Sequence, residues 1–93
     1  MTPQPWTYPP DLREALEPFG LSPPDGTPPA VVRDALNDLY RYELRRLRDR
    51  LLAREFERPE YLDRVVGLRK KYWPLTLPLS GWERICGGER SGK

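Results

Sequence analysis

Over most of this chain, apolar positions recur with the period of an α-helix, and charged residues fill the gaps between them. The clearest stretch follows Thr27. At about 100° per residue, Tyr40, Leu44, Leu47 and Leu51 fall within roughly 60° of one another. Val32 and Leu36 extend this stripe toward the N-terminus. The opposite side is dense in charge, with Glu43 and Arg46, Arg45 and Asp49, and Glu55 and Arg58 at pairing distance. The pattern predicts one long amphipathic helix over about 28–56, with Thr27 as N-cap and Pro28 in the first helical position. Pro59 then permits a new start. Leu62, Val65, Val66 and Leu68 predict a second helix over about 59–72, ended by Pro74. A short link between two helices makes them antiparallel neighbours, so the expected architecture is an all-α helical hairpin. The alternative is one continuous helix kinked at Pro59, against which an interior proline counts about 3 kcal/mol.

The flanking segments read differently. Residues 1–9 form a proline-rich arm carrying Trp6 and Tyr8. Two large aromatics have much apolar area to hide, so the arm is expected to fold back onto the core rather than reach for a partner's groove. Leu12, Ala15, Leu16 and Phe19 predict a short helix over about 10–18, stopped by Pro18 and Gly20. After Pro74, Leu75, Leu77 and Leu79 alternate with Thr76 and Pro78, which predicts an extended strap laid across the helices. Ser80 and Glu83 match a capping box and predict a terminal helical turn with Trp82 and Ile85. Residues 87–93 are expected to be a mobile tail, and the whole chain one small domain.

Charge is unevenly placed. Residues 11–40 carry six acids against two arginines, and residues 41–71 carry eleven bases against six acids. Such asymmetry favours oriented packing between halves or between copies as readily as binding to a polyanion. The single cysteine, Cys86, rules out an intrachain disulfide and points to a reducing compartment. No apolar run approaches the ~20 residues of a membrane span, and no secretion signal is visible, so a cytoplasmic location without membrane contact is expected.

Candidate chemistry is sparse. The chain contains no histidine, which removes the commonest general base and metal ligand. With one cysteine and scattered acids, neither a metal site nor a cofactor is expected. The tail Gly87 to Lys93 matches the spacing GxxxxGK, but it has no preceding strand, no following Ser or Thr and no following helix. A protein–protein interaction module or homo-oligomer is therefore the leading expectation. Its candidate surface is Tyr40, Leu44, Leu47 and Leu51, with Trp6, Trp73 and Trp82 as aromatic flanks. In a heptad frame with Leu44 and Leu51 at a, Asn37 falls at another a position, where an asparagine fixes register in coiled coils. The alternative is a nucleic-acid binder using Arg69, Lys70 and Lys71 beside Tyr72 and Trp73, with Arg41, Arg45 and Arg48 of the long helix. An enzyme built on carboxylates ranks third.

Overall fold

A computed structural model describes residues 6–87. Four α-helices follow one another: α1 (Pro10–Leu16), α2 (Pro29–Leu52), α3 (Arg58–Lys71) and α4 (Leu79–Gly87). Short 3-10 turns, Glu17–Phe19 and Trp73–Thr76, continue α1 and link α3 to α4. The described residues contain no strand, so the fold is all-α. The molecule is a rod, 56 × 19 × 19 Å.

Proline sets most of the boundaries. α1 and α2 each begin with a proline, where the missing amide donor costs nothing. Thr27 is not the N-cap of α2. That position is Pro28, and the Thr27 hydroxyl donates instead to the carbonyl of Pro24 at 2.7 Å. Because α2 begins at Pro29, Thr27 stands one position before the cap.

α2 stops at Leu52, four residues short of the expected end. Arg54 adopts a left-handed conformation, φ 61°. Its amide donates to the Leu51 carbonyl and that of Glu55 to the Arg50 carbonyl, both at 3.0 Å. This is the Schellman pattern, with arginine where glycine usually sits. Such motifs often carry an apolar contact between the outer and inner partner residues. Here an ion pair, Arg50 Nε to Glu55 Oε1 at 2.8 Å, takes its place. The chain then reverses, and α3 runs back along α2.

The core lies where α1, the first half of α2, the end of α3 and α4 meet. Tyr8, Leu12, Leu16, Val32, Leu36, Leu68, Tyr72, Trp82 and Cys86 form it. Trp82 is fully buried, and its Nε1 donates to the Pro74 carbonyl at 2.8 Å. The described part of the N-terminal arm docks here. Gly26 N–H donates to the Trp6 carbonyl, Thr7 N–H to that of Cys86, both at 2.8 Å, and the Tyr8 hydroxyl to that of Thr27 at 2.7 Å. Residues 1–5 and the tail from 88 onward lie outside the described residues.

The strap is a correction. Residues 73–76 form a 3-10 turn, and the chain is extended only around Leu77 before α4 begins. The Thr76 hydroxyl closes that turn on the Trp73 carbonyl at 2.7 Å. Arg33 of α2 donates to the Leu77 carbonyl at 3.0 Å and the Leu75 carbonyl at 3.4 Å. α4 is a nine-residue helix rather than a single turn. Because it starts at Leu79, Ser80 sits inside the helix and the capping box is not formed.

Candidate functional site

The long-helix stripe faces inward. Tyr40, Leu44 and Leu47 are half-buried and packed against the core, and Leu51 continues the line as half-buried. Asn37 is half-buried too. The seam that resembles a coiled coil is therefore closed within the chain by α3 and the core. Trp82 has no exposed surface, and Trp6 packs against the core. Of the seven expected interaction residues, Trp73 alone stays open, 42% exposed. The reason is physical: the stripe, Trp6 and Trp82 lie on the sides of the elements that face the core, and Trp73 does not.

α3 explains what the sequence reading missed. Two lines with the same 4-3-4 spacing run along it, Tyr61–Val65–Leu68–Tyr72 and Leu62–Val66–Arg69–Trp73. The first turns inward, with Leu68 and Tyr72 buried and Tyr61 and Val65 half-buried. The second turns out, leaving Leu62 54% and Val66 50% exposed. Leu62 and Val66 were expected to help cover α2, and they are instead an open apolar ridge. Tyr72 fixes the choice. Its ring stacks near Phe19 and Tyr40 at 4.3 and 5.1 Å between centroids, and its hydroxyl donates to the Glu43 carboxylate.

The basic residues divide between two sides. Lys71 pairs with Glu43 at 3.6 Å and lies 5.3 Å over the Phe19 ring, so it belongs to the inner seam. Arg41, Arg45 and Arg48 instead line a shallow cleft of about 450 Å³ with Leu44 and Tyr61. Arg69 lines a second cleft of about 220 Å³ with Tyr40, Tyr72, Leu75 and Thr76. Arg69, which lines the second cleft, falls on the same helical line as Leu62 and Val66. Among the described residues, none of Arg41, Arg45, Arg48, Arg69 and Lys70 joins an ion pair. The three helix-surface pairs read from spacing do not form. The ion pairs present tie Arg13 to Asp25, Arg50 to Glu55, Arg64 to Glu60 and Lys71 to Glu43.

The turn between α2 and α3 holds a further residue the sequence did not single out. Phe56 is buried, with the Arg50 and Arg64 guanidiniums 5.1 and 4.9 Å from its ring centroid. The packed ring closes the far end of the rod, where no aliphatic core reaches.

Reactive groups point the other way. Burial pushes the Cys86 thiol up to about 11, so at neutral pH it is a protonated, enclosed group. Burial also raises Tyr8 to about 12, with Cys86 adding to it and Arg13 opposing. Among the described residues no group of three or more Cys, Asp or Glu is placed to hold a metal ion. No described helix is long and apolar enough to cross a membrane.

Fold and surface together define, over the described residues, an all-α helical hairpin packed at one end against α1 and α4. Comparison with protein-family models, curated proteins and solved structures finds no match for it.

Proposed function

We propose that this chain is a non-enzymatic protein–protein interaction module that works through the outer surface of the α2–α3 hairpin. One observation carries the reading. The ridge of Leu62, Val66 and Trp73 stays open to solvent on the line that also carries Arg69, which joins no ion pair among the described residues. An apolar ridge rimmed by cations suits a partner that presents apolar side chains among acids. Of the inner leucine and tyrosine stripe, Leu44 and Tyr40 reach the surface as part of the lining of the two arginine-lined clefts.

The test is affinity capture from the native organism with the wild-type chain and with a Leu62→Glu, Val66→Glu, Trp73→Ala variant. These side chains are exposed, so the variant keeps its helical content. A companion retained by the wild type and lost by the variant supports the reading. The same companions on both, or none on either, contradicts it.

A second reading, binding of a nucleic-acid backbone, is favoured by Arg41, Arg45 and Arg48 sharing one cleft with Tyr61. Lys71 has no part in it, because its charge is engaged by Glu43. Retention on a polyanion column that falls steeply as salt rises would favour this reading. Elution near the void would remove it.

A further inference from the structure

We infer that the outward side of α2 binds a second copy of this chain, antiparallel, about a two-fold axis near Arg41 and Tyr42. The inference goes beyond the interaction-module reading, since it concerns a surface apart from the α3 ridge. It starts from a feature that packing within one copy leaves unexplained. Asp34, Asp38, Arg41, Arg45 and Arg48 form a line at 4-3-4-3 spacing, and every one is exposed. The acids occupy the N-terminal half of this line and the bases the C-terminal half. Val31, 58% exposed, and Leu52, 71% exposed, mark its two ends.

The helix dipole does not account for the segregation. Its effect fades within the first and last turns, and Asp34 to Arg48 lie inside those limits. Neighbouring charges on the helix do not account for it either. Among the described residues, none of these five forms an ion pair, whereas Glu43 and Arg50 on the inner side both do. A line that is acidic at one end and basic at the other is complementary to itself when a second copy is reversed.

Register follows from the symmetry, since in a two-fold interface residue i meets j and j meets i. With the axis between Arg41 and Tyr42, Asp38 lies opposite Arg45 of the second copy, and Asp34 lies within one residue, about 1.5 Å, of the level of its Arg48. Val31 lies opposite Leu52. The three pairings agree to within one residue of a single register, over about 32 Å of helix at 1.5 Å per residue. Tyr42, 55% exposed, lies level with Arg41 of the second copy across the axis. Asp49 is level with Asp34 of the second copy but about 60° round the helix from it, whereas Arg48 is about 40° away on the other side. All three bases are arginine, whose planar fork suits interface carboxylates better than lysine does. Because the pairs stay near solvent, each contributes little and the dimer is weak and salt-sensitive.

The experiment is sedimentation equilibrium of the full chain over a concentration series at low and high salt, with two charge reversals. Asp38→Arg and Arg45→Asp are each made alone and then mixed. The wild type self-associates at low salt and loses this at high salt. Each reversal alone dimerises roughly tenfold or more weakly, because like charges now face each other twice. The mixture restores association to near the wild-type level, since arginine at 38 of one chain then meets aspartate at 45 of the other. Recovery on mixing also establishes that both variants are folded. A wild type that stays monomeric at low salt overturns the inference, while capture of another protein by the α3 ridge would leave the functional reading standing. Reversals that leave self-association unchanged, or a mixture no better than its components, also overturn it. So does polyanion retention lost in Arg45→Asp when the wild type does not dimerise.

Discussion

Trp82 ties α4 to the 3-10 turn that precedes it, and its replacement tests how the clasped end of the rod holds. The indole is fully buried and donates to the Pro74 carbonyl at 2.8 Å. That carbonyl also accepts from Leu77 N–H at 3.2 Å, so removing the indole leaves it with one partner rather than none. Trp82→Phe therefore falls at the low end for a lost buried hydrogen bond, about 1 kcal/mol. The smaller ring leaves a void that adds about 1 kcal/mol. Trp82→Ala removes the whole ring and costs about 3–5 kcal/mol. A domain of this size has about 5–14 kcal/mol in all, so alanine removes a large share and phenylalanine a modest one. The Phe variant lowers Tm by about 8–16 °C at 4–8 °C per kcal/mol. Urea unfolding followed by circular dichroism measures both. Loss of less than about 1 kcal/mol in Trp82→Ala would refute the reasoning, because it would mean that α4 is not docked.

Arg54 holds a left-handed conformation that favours glycine, so Arg54→Gly raises stability by about 0.5–1 kcal/mol in the same urea assay, and a loss would contradict the helix-end geometry. Phe56→Ala opens the far turn and costs about 3 kcal/mol, with amide exchange accelerated first in the α2–α3 turn; unchanged exchange there would sink the account of that ring. The chain is also base-labile. Burial raises Tyr8 from 10.0 to about 12 and Cys86 from 9.0 to about 11, and burial with the Glu43 hydrogen bond raises Tyr72. Above pH 9 the unfolded chain therefore releases protons that the folded chain keeps. The stability these groups contribute is complete below that point and drains away as pH climbs toward 12. Tm holds between pH 7 and 9 and falls beyond it, and a level Tm up to pH 11 would contradict this.

Helix content was legible because proline and apolar period agree along this chain. Pro29 starts α2, the apolar period carries it to Leu51, and Gly20 at φ 75° ends the first helical segment. What was not legible came from contacts distant in sequence. Arg33 reaches carbonyls 42 and 44 residues away, and these help fold the 73–78 segment as a turn instead of a strap. Alternating leucines between prolines cannot reveal that. The site was half legible. Arg41, Arg45 and Arg48 do share a cleft, as helical spacing requires. Lys71 sits beside Lys70 in sequence but faces Glu43 across the seam. The two apolar lines on α3 have equal spacing, and only the fit of Tyr72 between Phe19 and Tyr40 selects the inner one. Arg54 hid the end of α2, since a glycine there would have announced it.

The central claim is that the ridge on α3 is covered by a partner while the core behind it stays closed. Hydroxyl-radical footprinting of the chain inside its native cells, beside the same chain purified, reads this residue by residue. Leu62, Val66 and Trp73 should label freely in the purified protein and be protected in the cell, with Trp82 shielded in both. Equal labelling of the three in both settings would contradict the account.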